Sequence, residues 1–338
     1  MRVRGWVLAS CAMLAACGGG GGGGGGAVTV VPGSPGPTAT APTPTPTPST
    51  AALNTGEIKP TTDATYLSAT MELTTSAGTT NQLTGRTTGG MTSDRSTTID
   101  TPQFSGSYSP QTGYRLADAV NMAAFGPGQL ISDTTTESVD PTVLFARTNT
   151  PVEDYLALYK KSVTVTSSLG SGTSTPKYGG IGGWQHTVVG PTSRRTRLDY
   201  FAFGPATPVS AMPRSGVVKF FLMGSGNYAT DTDLYFTSVT DTLTVNFDTG
   251  TVTGFIGASG QNLFTGGFGG LFTPGIAGSI VGNSSSGPLT STVAVASGRY
   301  SLLFVGPNAD ELIITYTAQD GRGTIVGSVV GVRNAYLP

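Results

Sequence analysis

From about Leu53 onward, apolar and polar residues alternate with a period of two, the pattern of extended strands with one buried face. The clearest stretch runs from Thr242 to Asp248. Leu243, Val245 and Phe247 share one face, and Thr242, Thr244, Asn246 and Asp248 the other. Asp248-Thr249-Gly250 then supplies turn chemistry and residues 251–258 return, which predicts a hairpin. The same reading predicts strands over 216–223, 277–282, 291–296, 299–305, 312–318 and 323–332, with Asp320-Gly321 turning the chain between the last two. With a weaker segment over 261–270, the C-terminal part carries eight or nine strands. Eight antiparallel strands suffice to close a small barrel filled by its own side chains. Alternation alone leaves a β-sandwich open as the other closure.

Upstream, strands are predicted over 66–73, 97–104, 113–121 and 197–203. Residues 152–161 hold the best helical pattern of the chain, with a strand carrying a helical flank as the alternative reading. Gly204-Pro205, followed by Pro208 and Pro213, marks a joint. The expected organisation is a β-rich N-terminal domain over 53–205, placed like a handle, and a second β domain over 206–338.

The first fifty residues follow a different rule. Arg2 and Arg4 precede an apolar run from Gly5 to Ala16, too short for a membrane-spanning helix and suited to a secretory leader. The run ends Leu14-Ala15-Ala16-Cys17, which resembles the lipobox of bacterial lipoproteins. That resemblance implies cleavage after residue 16, diacylation of Cys17, and, with Gly18 rather than Asp following, delivery to the outer membrane. Nine consecutive glycines from Gly18 to Gly26 make a flexible leash, and the Pro-rich tract from Pro32 to Pro48 favours stiffer, extended PPII. Residues 18–52 are therefore expected to be a disordered tether. The glycine run is no phosphate loop, because no Lys-Ser/Thr follows it.

Composition narrows the function. Charged residues are 11% of the chain and the formal net charge is −1, with no basic stripe, so a nucleic-acid partner is not expected. The two cysteines, Cys11 and Cys17, both lie in the leader region, so neither a disulfide framework nor a cysteine metal site is expected in the folded part.

Three stretches in the second half carry a family resemblance. Phe203-Gly-Pro-Ala-Thr-Pro-Val-Ser-Ala-Met-Pro-Arg-Ser-Gly216 looks like the lead-in to the transferrin-binding protein B-like β-barrel domain. Thr244-Val-Asn-Phe-Asp-Thr-Gly-Thr-Val-Thr-Gly254 is similar to its second hairpin. Gly298-Arg-Tyr-Ser-Leu-Leu-Phe-Val-Gly-Pro-Asn-Ala-Asp-Glu-Leu312 resembles its Gly-x-Phe-Tyr-Gly-Pro-x-Ala-x-Glu motif, with Val305 in place of the usual Tyr and Leu312-Ile-Ile where Gly-Gly is common. The match covers about 203–338. It implies an eight-stranded antiparallel barrel in a surface lipoprotein that binds a protein, haem or an iron carrier. Read physically, Gly306-Pro307 breaks a strand, and Glu311 is placed to accept backbone N–H bonds where the chain returns to the sheet.

Candidate chemistry is sparse. The one histidine, His186, stands beside Trp184 in Gly182-Gly-Trp-Gln-His-Thr. One His with no Cys cannot build a zinc site, and no Gly-x-Ser-x-Gly elbow is present. Arg194, Arg195 and Arg197 form the one basic cluster, expected on a solvated sheet edge or against an acidic partner. His186, Trp184, Arg194, Arg195 and Arg197 are the binding candidates, Cys17 is the lipidation site, and no catalytic residue, metal or cofactor is expected. Asp231 and Asp233 fall short of a calcium loop. Exposed glycine-rich loops over 262–275 and 283–288 are further binding candidates.

The expected function is that of a non-enzymatic lipoprotein anchored through Cys17 in the bacterial outer membrane. Its body faces the cell surface, with the periplasmic side as the alternative, and captures a nutrient carrier. A structural or assembly lipoprotein partnering an outer-membrane transporter is the second reading. A membrane-spanning barrel is disfavoured by the leader and by the lack of aromatic girdles.

Overall fold

The computed structural model describes residue 60 and residues 64–76, 79–81, 86–88, 91–99, 104–133, 142–149, 151–159, 163–167, 170–290 and 297–333. Cys17, the tether and the strand expected over 291–296 lie outside them. In chain order the strands are β1 (Ala64–Ser76), β2 (Thr79–Asn81), β3 (Arg86–Thr88), β4 (Met91–Ile99), β5 (Ser105–Ser109), β6 (Gly113–Ala117), β7 (Met122–Phe125) and β8 (Leu130–Asp133). They continue with β9 (Thr142–Asn149), β10 (Val152–Tyr159), β11 (Val163–Ser167), β12 (Gly170–Ser174), β13 (Gly180–Val189) and β14 (Ser193–Pro205). After a 3₁₀ turn at Val209–Ala211 come β15 (Val217–Thr230), β16 (Leu234–Asn246), β17 (Thr251–Phe255), β18 (Ala258–Asn262) and β19 (Phe268–Phe272). The last are β20 (Gly275–Ser279), β21 (Ser284–Thr290), β22 (Ser297–Val305), β23 (Glu311–Gln319) and β24 (Gly323–Arg333).

The C-terminal strands close a barrel. They run β15-β24-β23-β22-β21-β20-β17-β16, and β16 pairs back onto β15 from Asn246↔Val217 to Leu234↔Ala229. That makes eight antiparallel strands, as the sequence predicts. The lower half of β16 pairs with β17 and its upper half with β18, so the β18–β19 hairpin extends the wall beyond the ring. Leu243, Val245 and Phe247 point inward with Phe220, Leu302, Phe304, Leu312 and Tyr316, and these side chains fill the interior. The Asp320-Gly321 turn is held by the Asp320 carboxylate, which accepts the backbone N–H groups of Arg322 (2.9 Å) and Gly323 (2.7 Å).

The N-terminal strands form a seven-stranded antiparallel sheet, β4-β1-β14-β13-β10-β9-β8, and a separate small sheet, β5-β6-β7. The large sheet is the middle of three layers. One face lays Leu67, Ile181 and Ala202 on the outer barrel wall, against Met223, Leu303, Ile313 and Val330. Ala69, Met71, Leu198 and Tyr200 continue that contact against Ala229 and Val326. The opposite face packs Phe145, Leu156, Trp184 and Phe201 on Phe104, Tyr114, Leu116 and Phe125 of the small sheet. Strands covered on both faces lose their alternation, which is why β23 and β24 read as nearly continuous apolar runs.

Double cover corrects one reading of the sequence, and the structure qualifies two others. Residues 152–159 are a strand, not a helix; Tyr155, Leu156, Ala157 and Leu158 are all buried, and their unbroken apolar run imitates a helical face. Of the strand expected over 97–104, residues 97–99 are the end of β4, which begins earlier, at Met91, and 100–103 lie outside the described residues. The candidate binding loop at 283–288 is mostly strand β21, whose Ser284-Ser-Ser-Gly-Pro run has low β-propensity but pairs with β22 from Ser284↔Leu303 to Pro288↔Arg299.

The Gly306-to-Glu311 motif forms the joint between barrel and sheet. The Glu311 carboxylate is buried and accepts three backbone N–H groups from the segment leading into β13: Lys177 (2.6 Å), Tyr178 (3.0 Å) and Gly179 (2.7 Å). Gly306 has φ of 85°, and a Cβ there would lie 2.6 Å from the Tyr178 ring. A Cβ at Gly179 would meet Val330 at 2.8 Å. Glycine is thus required on both sides of the contact, by backbone conformation at Gly306 and by close approach at Gly179.

Candidate functional site

Strand register assembles the site. Across β9, β10, β13, β14 and β1 the Cα partners line up as Arg147↔Asp154, Asp154↔His186, His186↔Arg197 and Arg197↔Glu72. Five ionisable residues therefore form one row across the sheet, on the face that the small sheet covers further along. Cross-strand neighbours on one face stand close enough for direct ion pairing.

Asp154 anchors one half of the row. Its side chain is fully buried, and both oxygens are used. Arg147 donates to Oδ2 from Nε at 3.1 Å and from Nη2 at 2.6 Å. Oδ1 receives the Trp184 indole N–H at 3.2 Å and lies 2.8 Å from His186 Nδ1. A carboxylate can only accept, so the His186 proton on that side sits on Nδ1. Trp184, two residues before His186 and on the same face of β13, is buried beneath the small sheet.

Arg197 anchors the other half. Its guanidinium meets Glu72 at 3.0 Å, Asp118 at 2.7 Å and Asp199 at 3.3 Å. Asp118 comes from the turn between β6 and β7, where its Oδ1 also accepts Val120 N–H and Asn121 N–H, each at 2.6 Å. Asp199 accepts the Thr70 hydroxyl at 2.5 Å and lies beside Asp118 against the same Arg197 Nε. Burial pushes the Asp118 carboxyl up, but the Asn121 and Val120 amides, Arg197 and the Asp199 hydrogen bond outweigh it and leave it below its usual value. Asp199 moves the other way, to about 7. Burial raises it, Arg197 and Thr70 pull it back, and the charge and hydrogen bond of Asp118 raise it again.

The structure thus brings His186, Trp184 and Arg197 onto one face and ties each into internal partners. Arg195 shares that face and is exposed. Arg194 points from the opposite face and pairs with Glu153 at 3.2 Å. Sequence reasoning named His186 and Arg197 of this row and missed Arg147, Asp154 and Glu72, together with Asp199 and Asp118 beside it. The signal available was an acid inside an apolar run, as in Leu198-Asp199-Tyr200-Phe201, which requires a buried partner. Chemically the row binds itself. Among the described residues no group of three or more His, Cys, Asp or Glu could hold a metal ion, and His186 faces a carboxylate rather than a nucleophile.

No family model matches the chain, and no curated protein matches it. Solved structures with a related arrangement include a double mutant of transferrin-binding protein B from Haemophilus parasuis, at 14% identity over 81% of this chain and 76% of that one, TM-score 0.35. The haemoglobin receptor HpuA from Kingella denitrificans is similar at 16% identity over 82% and 89%, TM-score 0.36. The N-lobe domain of lactoferrin-binding protein B from Moraxella bovis is similar at 9% identity over 79% and 99%, TM-score 0.33. Similarity this distant carries no argument about site or ligand.

Proposed function

We propose that this chain is a lipid-anchored outer-membrane protein that displays an all-β body on a long tether. It binds a macromolecular ligand, a protein or a haem or iron carrier, without catalysing a reaction on it. One observation carries the reading: a leader ending Leu14-Ala15-Ala16-Cys17 and a glycine and proline leash are joined to a barrel whose interior is filled by its own side chains. A solid barrel holds nothing inside, so a ligand meets its turns and outer surface. The turns 230–233, 263–267 and 320–322 cluster at one end of the ring, because Thr230↔Gly323 and Tyr235↔Asn262 are register partners there. The residues of 203–338 that resemble the transferrin-binding protein B-like barrel domain support the same reading, with nutrient capture as the role.

Two acyl chains give stable membrane retention where one does not, each buried CH₂ contributing about 0.8 kcal/mol. A Cys17→Ser chain is therefore expected to leave the membrane fraction for the soluble one, with its fold unchanged by circular dichroism. Retention of this variant in membranes, released only by detergent, contradicts the anchor. Affinity capture with the intact protein then separates capture from assembly. A soluble carrier bound by the body supports nutrient capture, and a stable complex with an outer-membrane transporter alone supports the assembly role.

A further inference from the structure

Among the described residues, the cluster around Arg197 has more negative groups than its one guanidinium balances. Glu72, Asp118 and Asp199 all lie within 3.3 Å of Arg197, and the side chains of Asp118 and Asp199 are each 1% exposed. Both carboxyls approach the same Arg197 Nε, so they stand side by side out of water, where two like charges disfavour double ionisation and one proton is held between them. Asp199 belongs to the large sheet and Asp118 to the turn of the small sheet, so that proton lies across the boundary between two layers.

We propose that the proton shared by Asp118 and Asp199 is a latch that closes the small sheet over the large one in mildly acidic medium and loosens it as the medium turns neutral. With the proton present, Asp199 donates to Asp118 and the single positive charge of Arg197 serves Asp118 and Glu72. Once it leaves, two carboxylates face each other out of water, and lifting the Asp118 turn is the direct relief. Among the described residues, the other groups around Asp199 do not supply the missing charge. Thr70 on β1 is neutral and already donates to it. On β13, Trp184 turns its N–H to Asp154, and His186 is held by that same carboxylate. Arg147 on β9 is spent on Asp154 as well.

The direction follows from linkage. With the sheets closed, Asp199 releases its proton at about 7; opened to water it returns toward the ordinary carboxylate value. The contribution of this proton to closure is therefore full below that ordinary value, weakens as pH rises toward 7, and levels off above it. A three-stranded sheet without its hydrophobic cover is not stable alone, so opening exposes the amides of residues 113–125 to exchange.

The test is hydrogen exchange of residues 113–125 in the full chain at pH 6 and pH 8, with rates corrected for the intrinsic pH dependence of exchange. One proton linked to opening gives about a tenfold rise in the opening constant across this interval. Asp199→Asn keeps the hydrogen-bonding shape but cannot titrate, and its opening constant is expected to change less than about twofold. His186→Gln is expected to behave as the unaltered chain, which separates this proton from that of the histidine. If Asp199→Asn fails to fold, Asp118→Asn serves instead, removing the facing charge and moving the transition to lower pH. An unaltered chain with no change between the two pH values overturns the proposal, as does a pH dependence that survives Asp199→Asn or disappears with His186→Gln.

Discussion

The barrel and the seven-stranded sheet are both antiparallel and share a buried wall, yet they are held differently. The barrel closes on itself, so every strand of the ring has two neighbours and its interior can be almost wholly apolar. The sheet is open, ends at β4 and β8, and carries Arg147, Asp154, His186, Arg197 and Glu72 in a row across five strands. Slipping one strand by a residue would send its member of that row to the opposite face and strand the partners left behind. Closure fixes register in the barrel, and charge pairing helps to fix it in the sheet. A ring needs no polar group to choose among alignments; an open sheet gains from one.

The sharpest way to break this arrangement is at the joint. Glu311→Ala leaves the N–H groups of Lys177, Tyr178 and Gly179 without their acceptor, and an unsatisfied buried group costs about 1–3 kcal/mol. Because Lys177 and Tyr178 are exposed enough to find water, we expect a loss of about 3–4 kcal/mol rather than the full sum, read from chemical denaturation. Glu311→Gln retains an acceptor oxygen and is expected to lose about half as much. A loss below about 1 kcal/mol for Glu311→Ala would mean that apolar packing alone joins the two parts.

A smaller effect is expected within the sheet. Asp154→Ala removes the acceptor for Arg147, Trp184 and His186 at once. Arg147 is 31% exposed and can turn to solvent, so the cost falls mainly on the buried indole N–H, about 2 kcal/mol in the same unfolding measurement. Asp154→Asn is expected to cost less, since an amide oxygen still accepts from Trp184. If both variants were neutral, the row would be an accident of register rather than a determinant of it.

The barrel was most legible in the sequence where its strands show water one face. Leu243, Val245 and Phe247 alternate with Thr and Asn and lie inside the ring as that alternation requires. Legibility failed at β10, a strand covered twice with no Gly-containing turn beside it to mark it as extended, unlike β23 and β24. Residues 152–159 imitate a helix because β9 and β13 flank them, the small sheet covers one face, and both faces are apolar. The site was half legible. His186 stood out as the one histidine and Arg197 as part of the one basic cluster, and Glu311 was read as an acceptor of backbone N–H groups. What period and composition cannot carry is the identity of partners far away in the chain. The donors to Glu311 lie more than 130 residues upstream, and the Asp118 that meets Arg197 arrives on a different sheet.

The account turns on where this body is displayed, and protease treatment of whole cells tests that most directly. Added to intact cells, protease is expected to cut the glycine and proline leash and release the β-rich body without rupture of the outer membrane. Survival of the full chain on intact cells, with cleavage only after rupture, would place the body in the periplasm and contradict capture at the cell surface.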